Sequence, residues 1–427
     1  MRIALLLEDR EYSGVDFGIP ENGNPGVGGT AYCVMQLAHE LVRKGETVFF
    51  LHYNTTNITE EGVQNIVLRD FSEICELEEQ LLWDCIVITN YGKEDAYNAI
   101  LQKCRRSVVM WVHNFISAYE LDFFCSCTSI KQVVFVGKQL RDTYVDHPVY
   151  RKSRVIFNFV YPSGKENREN LPNIVTYTGS IIPAKGFHVL AKEWLKVLEK
   201  VPDAQLMVMG SGKLYNHSEK MGRYQIASED YEKLFMPFLT DARGEILSSV
   251  HFLGIVKQEK NDIYRRTKVG IVNPTACTEI CSISALEMQV MGIPVISRAK
   301  YGMLDVVKDG TSGRLIHRER SLHKEIIRLL QNEDINRNLS RGAVRFVREN
   351  FSPERSLGEW FGLFHEIKEN KVRVIQNSKI DFPFNQYKWL RLLNAKLQKI
   401  PGLHGLPSVA KTREKISEVY QRIKGSR

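Results

Sequence analysis

The sequence predicts an α/β protein with two parallel sheets in succession, followed by a basic helical tail. Three observations carry this reading. Short apolar runs of strand length alternate with amphipathic helical stretches over most of the chain, the pattern of crossover units that build a parallel sheet. A polar, aperiodic segment at 161–172, containing Pro162, Gly164 and Pro172, interrupts the alternation, which then restarts. The length, 427 residues, suits two domains of ordinary size with an extension.

Taken in order, residues 3–7 form a strand-length apolar run closed by Glu8 and Asp9. The run is too short for a secretory segment and has no small-residue cleavage site after it. Residues 31–44 carry a helical stripe through Val34, Leu37, Ala38 and Leu41, stopped by Gly45. Strands are expected at 47–51, 84–89, 108–113, 133–136 and 154–157, giving a first domain of residues 1–165. Strands at 174–178, 205–209, 250–253, 269–272 and 294–297, with a helix at 282–291, give a second domain of residues 172–350. The stretch 216–248 is long for a sheet connection and reads as helical or as a mobile insert.

Composition excludes several classes. With 43% hydrophobic and 25% charged residues, collagen-like, low-complexity and wholly disordered chains are ruled out. The net charge is +8, but residues 371–427 hold 13 basic and three acidic side chains, so the tail is +10 and residues 1–370 are −2. The bulk of the chain therefore has no basic footprint for nucleic acid, and no reader motif accompanies the tail. No run approaches the ~18–20 uninterrupted apolar residues of a spanning helix. The eight cysteines form no CxxC pair and no metal-ligand spacing, which reads as reduced thiols in a cytoplasmic protein. No Asp-x-Asp pair is evident, so neither a metal nor a resident cofactor is expected.

The first motif is Gly26-Val27-Gly28-Gly29-Thr30-Ala31. It fits a dinucleotide fingerprint in letters but not in context, because nearly twenty loop residues separate it from the first strand. The second strand also ends in Leu51-His52-Tyr53 without the required acid. What remains is the pair Gly28 and Gly29 at a helix start, either a tight turn or an approach point for an anion. In the second domain, Glu279 and Glu287 stand eight apart in Glu-Ile-Cys-Ser-Ile-Ser-Ala-Leu-Glu. That spacing puts both near one helix face, slightly more than two turns apart. Glu279 falls where strand passes into helix, at the sheet edge where α/β proteins bind ligands. One acid can take sugar hydroxyls and the other ribose hydroxyls, the alternative being two solvated helix acids. Gly179-Ser180-Ile181-Ile182-Pro183-Ala184-Lys185-Gly186 places a lone Lys at a helix start, a suitable phosphate clamp. Gly210-Ser211-Gly212 and Phe252-Leu253-Gly254-Ile255-Val256 end two further strands.

In this order the motifs, together with Gly292-Ile293-Pro294-Val295-Ile296 and Asp305-Val306-Val307-Lys308-Asp309-Gly310, resemble the C-terminal domain of the retaining glycosyltransferases of family 4, over about 173–316. The first domain matches more sparsely, through Gly28-Gly29, the strand ending in His113-Asn114, and Val155-Ile156-Phe157-Asn158. The resemblance implies the GT-B fold, with two Rossmann-like domains facing a central cleft and a late helix at 351–370 crossing back to the first. It implies transfer of a sugar, with retention, from a nucleotide-diphosphate sugar. A UDP-sugar is favoured and a GDP-sugar next, with a lipid-linked or polysaccharide acceptor in cell-surface glycan synthesis.

Carried over by position, Glu287 would hold the donor ribose and Glu279 the donor sugar. Lys185 would neutralise the leaving diphosphate, and the backbone of Cys281, Ser282 and Ile283 would face the sugar or phosphate. Gly179, Ser180 and Gly210 would line the donor site, with Gly254 and Val256 beside the base. His113 would contact the transferred sugar, and Gly28 and Gly29 would approach the phosphate from the first domain. The leaving diphosphate oxygen would take the acceptor proton, so that charge stabilisation there is the main catalytic effect. Asp305 occupies the position of a further acid of less certain role.

Two residues depart from the family pattern. Ser180 stands where an Arg is usual, so one of two diphosphate cations is missing, with Arg265, Arg266 and Lys257 as candidate substitutes. Ser282 stands where Gly is usual and narrows the space for backbone approach. These departures keep open a catalytically weakened binding or partner protein, and the fold itself also suits a sugar-nucleotide epimerase or phosphorylase. In the tail, Trp389, Leu390, Leu393, Leu397 and Ile400 form one stripe with Lys388, Arg391, Lys396 and Lys399 mostly away from it, and a second basic helix is expected at 411–424. The segment 386–424 either anchors on an anionic membrane surface, making the enzyme peripheral on the inner face of the cell membrane, or docks its stripe on the protein body or a second subunit.

Overall fold

The structure is a computed structural model and describes residues 1–10, 18–54, 56–89, 95–162, 168–213, 220–257, 259–374 and 387–425. Residues 163–167 of the expected linker lie outside the described residues. The chain divides into two compact units. The first comprises Met1–Gly18, Val34–Phe157 and Leu357–Arg427, and the second Ile19–Cys33 with Asn158–Ser356.

The first unit holds seven strands: β1 (Arg2–Leu6), β2 (Thr47–His52), β3 (Val63–Val67), β4 (Cys85–Ile88), β5 (Ser107–Val112), β6 (Ile130–Phe135) and β7 (Ser153–Val155). They lie in the order β3-β2-β1-β4-β5-β6-β7, and every pairing is parallel. The central strands are continuous apolar runs because helices cover both sheet faces, and β4 is buried throughout. β3 was not anticipated. It is an edge strand, largely exposed, and Gln64 and Asn65 break any apolar signal. Asn65 instead serves the adjoining loop, accepting from Ile58 N at 3.0 Å and donating to Ile58 O at 2.9 Å.

The second unit holds β8 (Ile174–Thr178), β9 (Gln205–Met209), β10 (Val250–Gly254), β11 (Val269–Ile271), β12 (Val295–Arg298) and β13 (Gly313–Ile316). Their order is β10-β9-β8-β11-β12-β13, again all parallel. β13, only four residues long, is also an addition to the sequence reading. Phe187 organises the core here, meeting Tyr177, Phe235 and Phe252 edge-to-face with ring centroids 5.0, 5.1 and 5.8 Å apart. The described part of 216–248 is not a loose insert. It contains a short helix, Glu229–Phe235, and contributes Tyr231, Phe235, Met236 and Leu239 to the core. The Glu232 carboxylate fastens its loop by accepting from Tyr224 N, Ile226 N and Ala227 N at 2.8–3.1 Å.

Each sheet reverses direction once, between β1 and β4 in the first unit and between β8 and β11 in the second. At such a reversal the two strand-end loops part toward opposite faces, leaving a crevice at the C-terminal edge that is suited to a ligand.

The late helix Pro353–Lys368 joins the first unit from Leu357 onward. Trp360 is buried, edge-on to Trp111 at 5.0 Å and stacked with Phe364 at 5.5 Å, and Arg154 pairs with Glu366 at 2.6 Å. The tail forms two helices, Lys388–Leu397 and Val409–Gly425. Its orientation corrects the expected docking mode, because the polar side of the first helix, not its apolar stripe, meets the body. Lys388 pairs with Asp142 at 2.9 Å with both side chains 1% exposed. Arg391 donates to the Thr143 carbonyl, and Asn394 donates to Asp146 at 2.9 Å. Trp389 and Leu393 are left exposed. Among the described residues, no helix is long and apolar enough to cross a membrane.

Trp360→Ala should destabilise the first unit by about 3–5 kcal/mol. Urea unfolding followed by tryptophan fluorescence should show its transition moving to lower denaturant.

Candidate active site

The reversal between β8 and β11 places two loops side by side, one after each strand. In the first, Gly179 N donates to Met209 O at 3.1 Å, and Gly210 N in turn donates to Gly254 O at 2.8 Å. Gly210 has φ +146°, and a Cβ there would stand 1.9 Å from Gly179 O, so only glycine permits this contact. The ends of β8, β9 and β10 are thereby laced together. Buried Tyr177 closes the same loop, its hydroxyl donating to Lys185 O at 3.1 Å, and Lys185 ends a short turn, Pro183–Lys185, ahead of the helix Phe187–Leu198.

The loop after β11 is shaped by three non-glycine residues with left-handed backbone, Asn273 (φ 38°), Ala276 (φ 56°) and Thr278 (φ 58°). Such residues cost roughly 1–3 kcal/mol each and persist where the surroundings hold them. Asn273 does much of the holding. Its Nδ2 donates to Cys277 O at 2.8 Å and to Glu279 Oε2 at 3.0 Å, its Oδ1 accepts from Thr275 at 2.9 Å, and its carbonyl accepts from Ser297 at 2.9 Å. Asn273 was not among the candidate site residues, although an Asn directly after a strand and before Pro is a recognisable turn signal.

The two loops meet in an ion pair, Lys185 Nζ to Glu279 Oε2, at 2.8 Å. Burial raises the Glu279 carboxyl, but the Lys185 ammonium, with Asn273 and Ser282, outweighs it and holds the group below its ordinary value. The pair is thus a charged carboxylate and ammonium with limited solvent access, at the C-terminal edge of the sheet.

The expectation that Glu279 and Glu287 share a helix face is corrected. The helix spans Ile283–Val290 with Ser282 as its N-cap, so Glu279 precedes it, in the loop, and only Glu287 is helical. Ser282 uses its hydroxyl to accept from Ala285 N at 3.4 Å, giving a residue expected only to crowd the backbone a capping role. The Cys281 thiol is pushed up by burial and is not a thiolate. Gly302 N donates to Glu279 O at 2.9 Å, bringing the Asp305 helix, Met303–Val306, behind this loop.

Glu287 has its own partner, Lys260, at 2.6 Å, with side chains 13% and 8% exposed. The pair lines a cavity together with Arg265, Glu21, Gly23 and Tyr32. Lys260 was not among the sequence candidates; the available signal was a Lys in the helix that follows the Gly254 strand end. Of the three cations that were, Arg265 lines this cavity while paired with Asp262 at 2.5 Å. Arg266 and Lys257 are exposed and do not line it. Val256 follows Gly254 in the same connection, partly exposed. Gly28 and Gly29 were assigned to the first domain, whereas Ile19–Cys33 groups with the second unit. Gly29 opens the helix Gly29–Arg43, and a Cβ on it would lie 3.8 Å from Ile283.

Ser180 is 2% exposed, and its hydroxyl has no hydrogen-bond partner among the described residues. A buried serine supplies no cation, so the ammonium groups beside the two glutamates are those of half-buried Lys185 and buried Lys260. His113 belongs to the first unit, directly after β5. It is buried, packed on Trp111 with ring centroids 4.7 Å apart, and burial lowers its pKa from 6.5 to about 3. It is therefore a neutral imidazole, and Nε2 has no partner among the described residues. Among those residues no group of three or more His, Cys, Asp or Glu side chains is arranged to hold a metal ion.

Comparison with known proteins locates this geometry. Residues 172–332 match the family model described as Glycosyl transferases group 1, a segment that contains every second-unit residue discussed above except those of Ile19–Cys33. A trehalose synthase of Pyrococcus horikoshii is 23% identical over 194 residues, 45% of this chain and 44% of that one. The chain thus spans less than half the length of that curated relative. Among solved structures, the sucrose-phosphate synthase of Thermosynechococcus elongatus superposes with a TM-score of 0.64 at 15% identity, covering 86% of this chain and 99% of that one. Alr3699/HepE of Anabaena, in complex with UDP and glucose, gives 0.59 at 13% identity, covering 86% and 100%. At these identities the likeness establishes the fold, two Rossmann-like domains of the GT-B kind.

Two outcomes test the site physics. Lys185→Met leaves Glu279 buried without its ammonium and should cost roughly 3 kcal/mol of stability, measured by denaturant unfolding, with Lys185→Met/Glu279→Gln costing less than the sum of the single changes. The Glu279 contribution is fully present above the ordinary carboxyl value of 4.5 and is lost as pH falls below it. His113 acts in a second window. Its folded pKa is depressed, so protonation of the unfolded chain drains stability as pH falls from 6.5 toward about 3. His113→Gln should flatten the thermal-stability profile in that range.

Proposed function

We propose that the protein is a retaining glycosyltransferase that moves a sugar from a nucleotide-diphosphate donor, with a UDP-sugar favoured, to a lipid-linked or polysaccharide acceptor. The observation that carries this reading is the largely enclosed Lys185–Glu279 pair at the chain reversal of the sheet, within the segment that matches the glycosyltransferase group 1 family. The Anabaena structure with UDP and glucose supports the choice of donor class.

In this mechanism Glu279, kept ionised by Lys185, accepts hydrogen bonds from hydroxyls of the donor sugar, and Glu287 accepts from the ribose. As the anomeric C–O bond to the diphosphate breaks, negative charge grows on the departing oxygen, and Lys185 is the cation placed to stabilise it. The acceptor oxygen bonds to the anomeric carbon on the same face, and its proton passes to the departing phosphate oxygen. No protein base is then required, and the transfer is metal-independent. Lys260, buried beside Glu287, takes over part of the charge that an Arg at position 180 would have provided. In the first unit, the neutral His113 imidazole is suited to a hydrogen bond with a hydroxyl and unsuited to carrying charge.

A second reading, a binding protein with weakened turnover, is favoured by Ser180, which is buried and brings no charge. A panel of UDP-, GDP- and dTDP-sugars separates the two. Donor-dependent thermal stabilisation should occur and vanish in Glu287→Ala. Sugar transfer or donor hydrolysis, followed by released nucleotide diphosphate, should persist in chelator and fall by about 10²–10³ in Lys185→Ala. Stabilisation without turnover supports the binding protein, and no stabilisation by any nucleotide refutes both.

A further inference from the structure

The two tail helices are amphipathic and meet the protein body through polar side chains. Lys388 and Arg391 are buried against Asp142 and the Thr143 carbonyl. Lys411 reaches Asp122 at 2.7 Å, and Glu414 accepts from Ala118 N at 2.8 Å. Large apolar side chains are left exposed: Trp389 is 59% exposed, Ile416 65%, Val419 55% and Tyr420 61%. Between the helices runs a groove of about 660 Å³ lined by Leu390, Leu393, Leu397, Val409 and Ile416. Contiguous apolar surface of this kind marks an interaction site.

Charge selects its occupant. Lys396, Lys399, Arg413, Lys415 and Arg422 are exposed on the same two-helix segment, against a single exposed acid, Glu418, among the described residues. A second copy docked face to face about a two-fold axis would bring these like charges together. An anionic bilayer surface satisfies both properties at once, taking apolar side chains below the headgroups and lysines against them. Trp389 and Tyr420 are the residue types that settle at that depth. No described helix is long and apolar enough to go further and span the membrane.

We propose that the outward face of the 388–422 helix pair, with Trp389, Leu393, Ile416 and Tyr420 at its centre, lies in the interfacial layer of an anionic membrane. The nearby Lys396, Lys399 and Lys415 contact the lipid phosphates. The basic side chains seen earlier at 388 and 391 are not part of that contact, since they hold the helix to the protein.

The test uses the full chain and vesicles of phosphatidylcholine, with or without phosphatidylglycerol. The chain should co-sediment with the anionic vesicles, less so as salt is raised. Trp389→Asp/Ile416→Asp and, separately, Lys396→Glu/Lys399→Glu should each weaken binding about tenfold or more. Both pairs are exposed, and unchanged circular-dichroism melting would confirm that the fold survives. Absence of binding to anionic vesicles overturns the proposal, as does equal binding to neutral ones. A dimer in sedimentation velocity that Trp389→Asp/Ile416→Asp dissociates, without vesicle binding, assigns the face to a second copy instead. Because the readout is vesicle binding, it is separable from whether the chain transfers sugar.

Discussion

The C-terminal strand edge of the second unit is held together at its reversal by the ion pair between Lys185 and Glu279. The two residues sit on loops that diverge from adjacent strands, and nothing in a parallel sheet by itself draws such loops together. The pair does so, and Asn273 reinforces it by bonding Glu279 from within its own loop. Burying two charges is costly unless each is well solvated by protein. The left-handed backbone at 273, 276 and 278, the capping hydroxyl of Ser282 and the backbone contact with Gly302 all serve to present Glu279 at one position. An ionised carboxylate held with restricted water access is a stronger hydrogen-bond acceptor than one on an open helix face.

Glu287 repeats the arrangement within the following helix, with Lys260 as its counter-ion. Both glutamates are therefore held by an ammonium group, Glu279 at the reversal of the sheet and Glu287 over the neighbouring cavity. Ser180 fits this economy poorly as a ligand residue and well as a small, buried part of the loop.

Much of this was legible in sequence because it depends on local signals. The alternation of apolar runs gave eleven strands nearly in place, as buried parallel strands carry few polar residues to blur the pattern. Glu279, Glu287 and Lys185 stood out by spacing. What escaped depends on partners distant in sequence. β3 is an edge strand with little apolar signal, and Lys260 looks like any surface lysine until the fold sets it beside Glu287. The tail misled for the same reason. A helical wheel identifies two faces, but only Asp142 and Asp146, some 250 residues earlier, decide which one turns inward.

That last arrangement bears on the order in which the protein can form. Arg154 meets Glu366 across 212 positions of chain, and Thr143 receives Arg391 across 248. The first sheet is translated first, yet Trp111 lacks its Trp360 cover, and Asp142 its counter-ion, until the whole intervening unit has been made. At ribosomal speeds of about 5–20 residues per second, that leaves an incomplete apolar surface waiting for at least ten seconds or so. The second unit, whose strands all fall between 174 and 316, faces no such delay. The N-terminal half of the chain is thus the later one to mature, and the more dependent on protection while it waits.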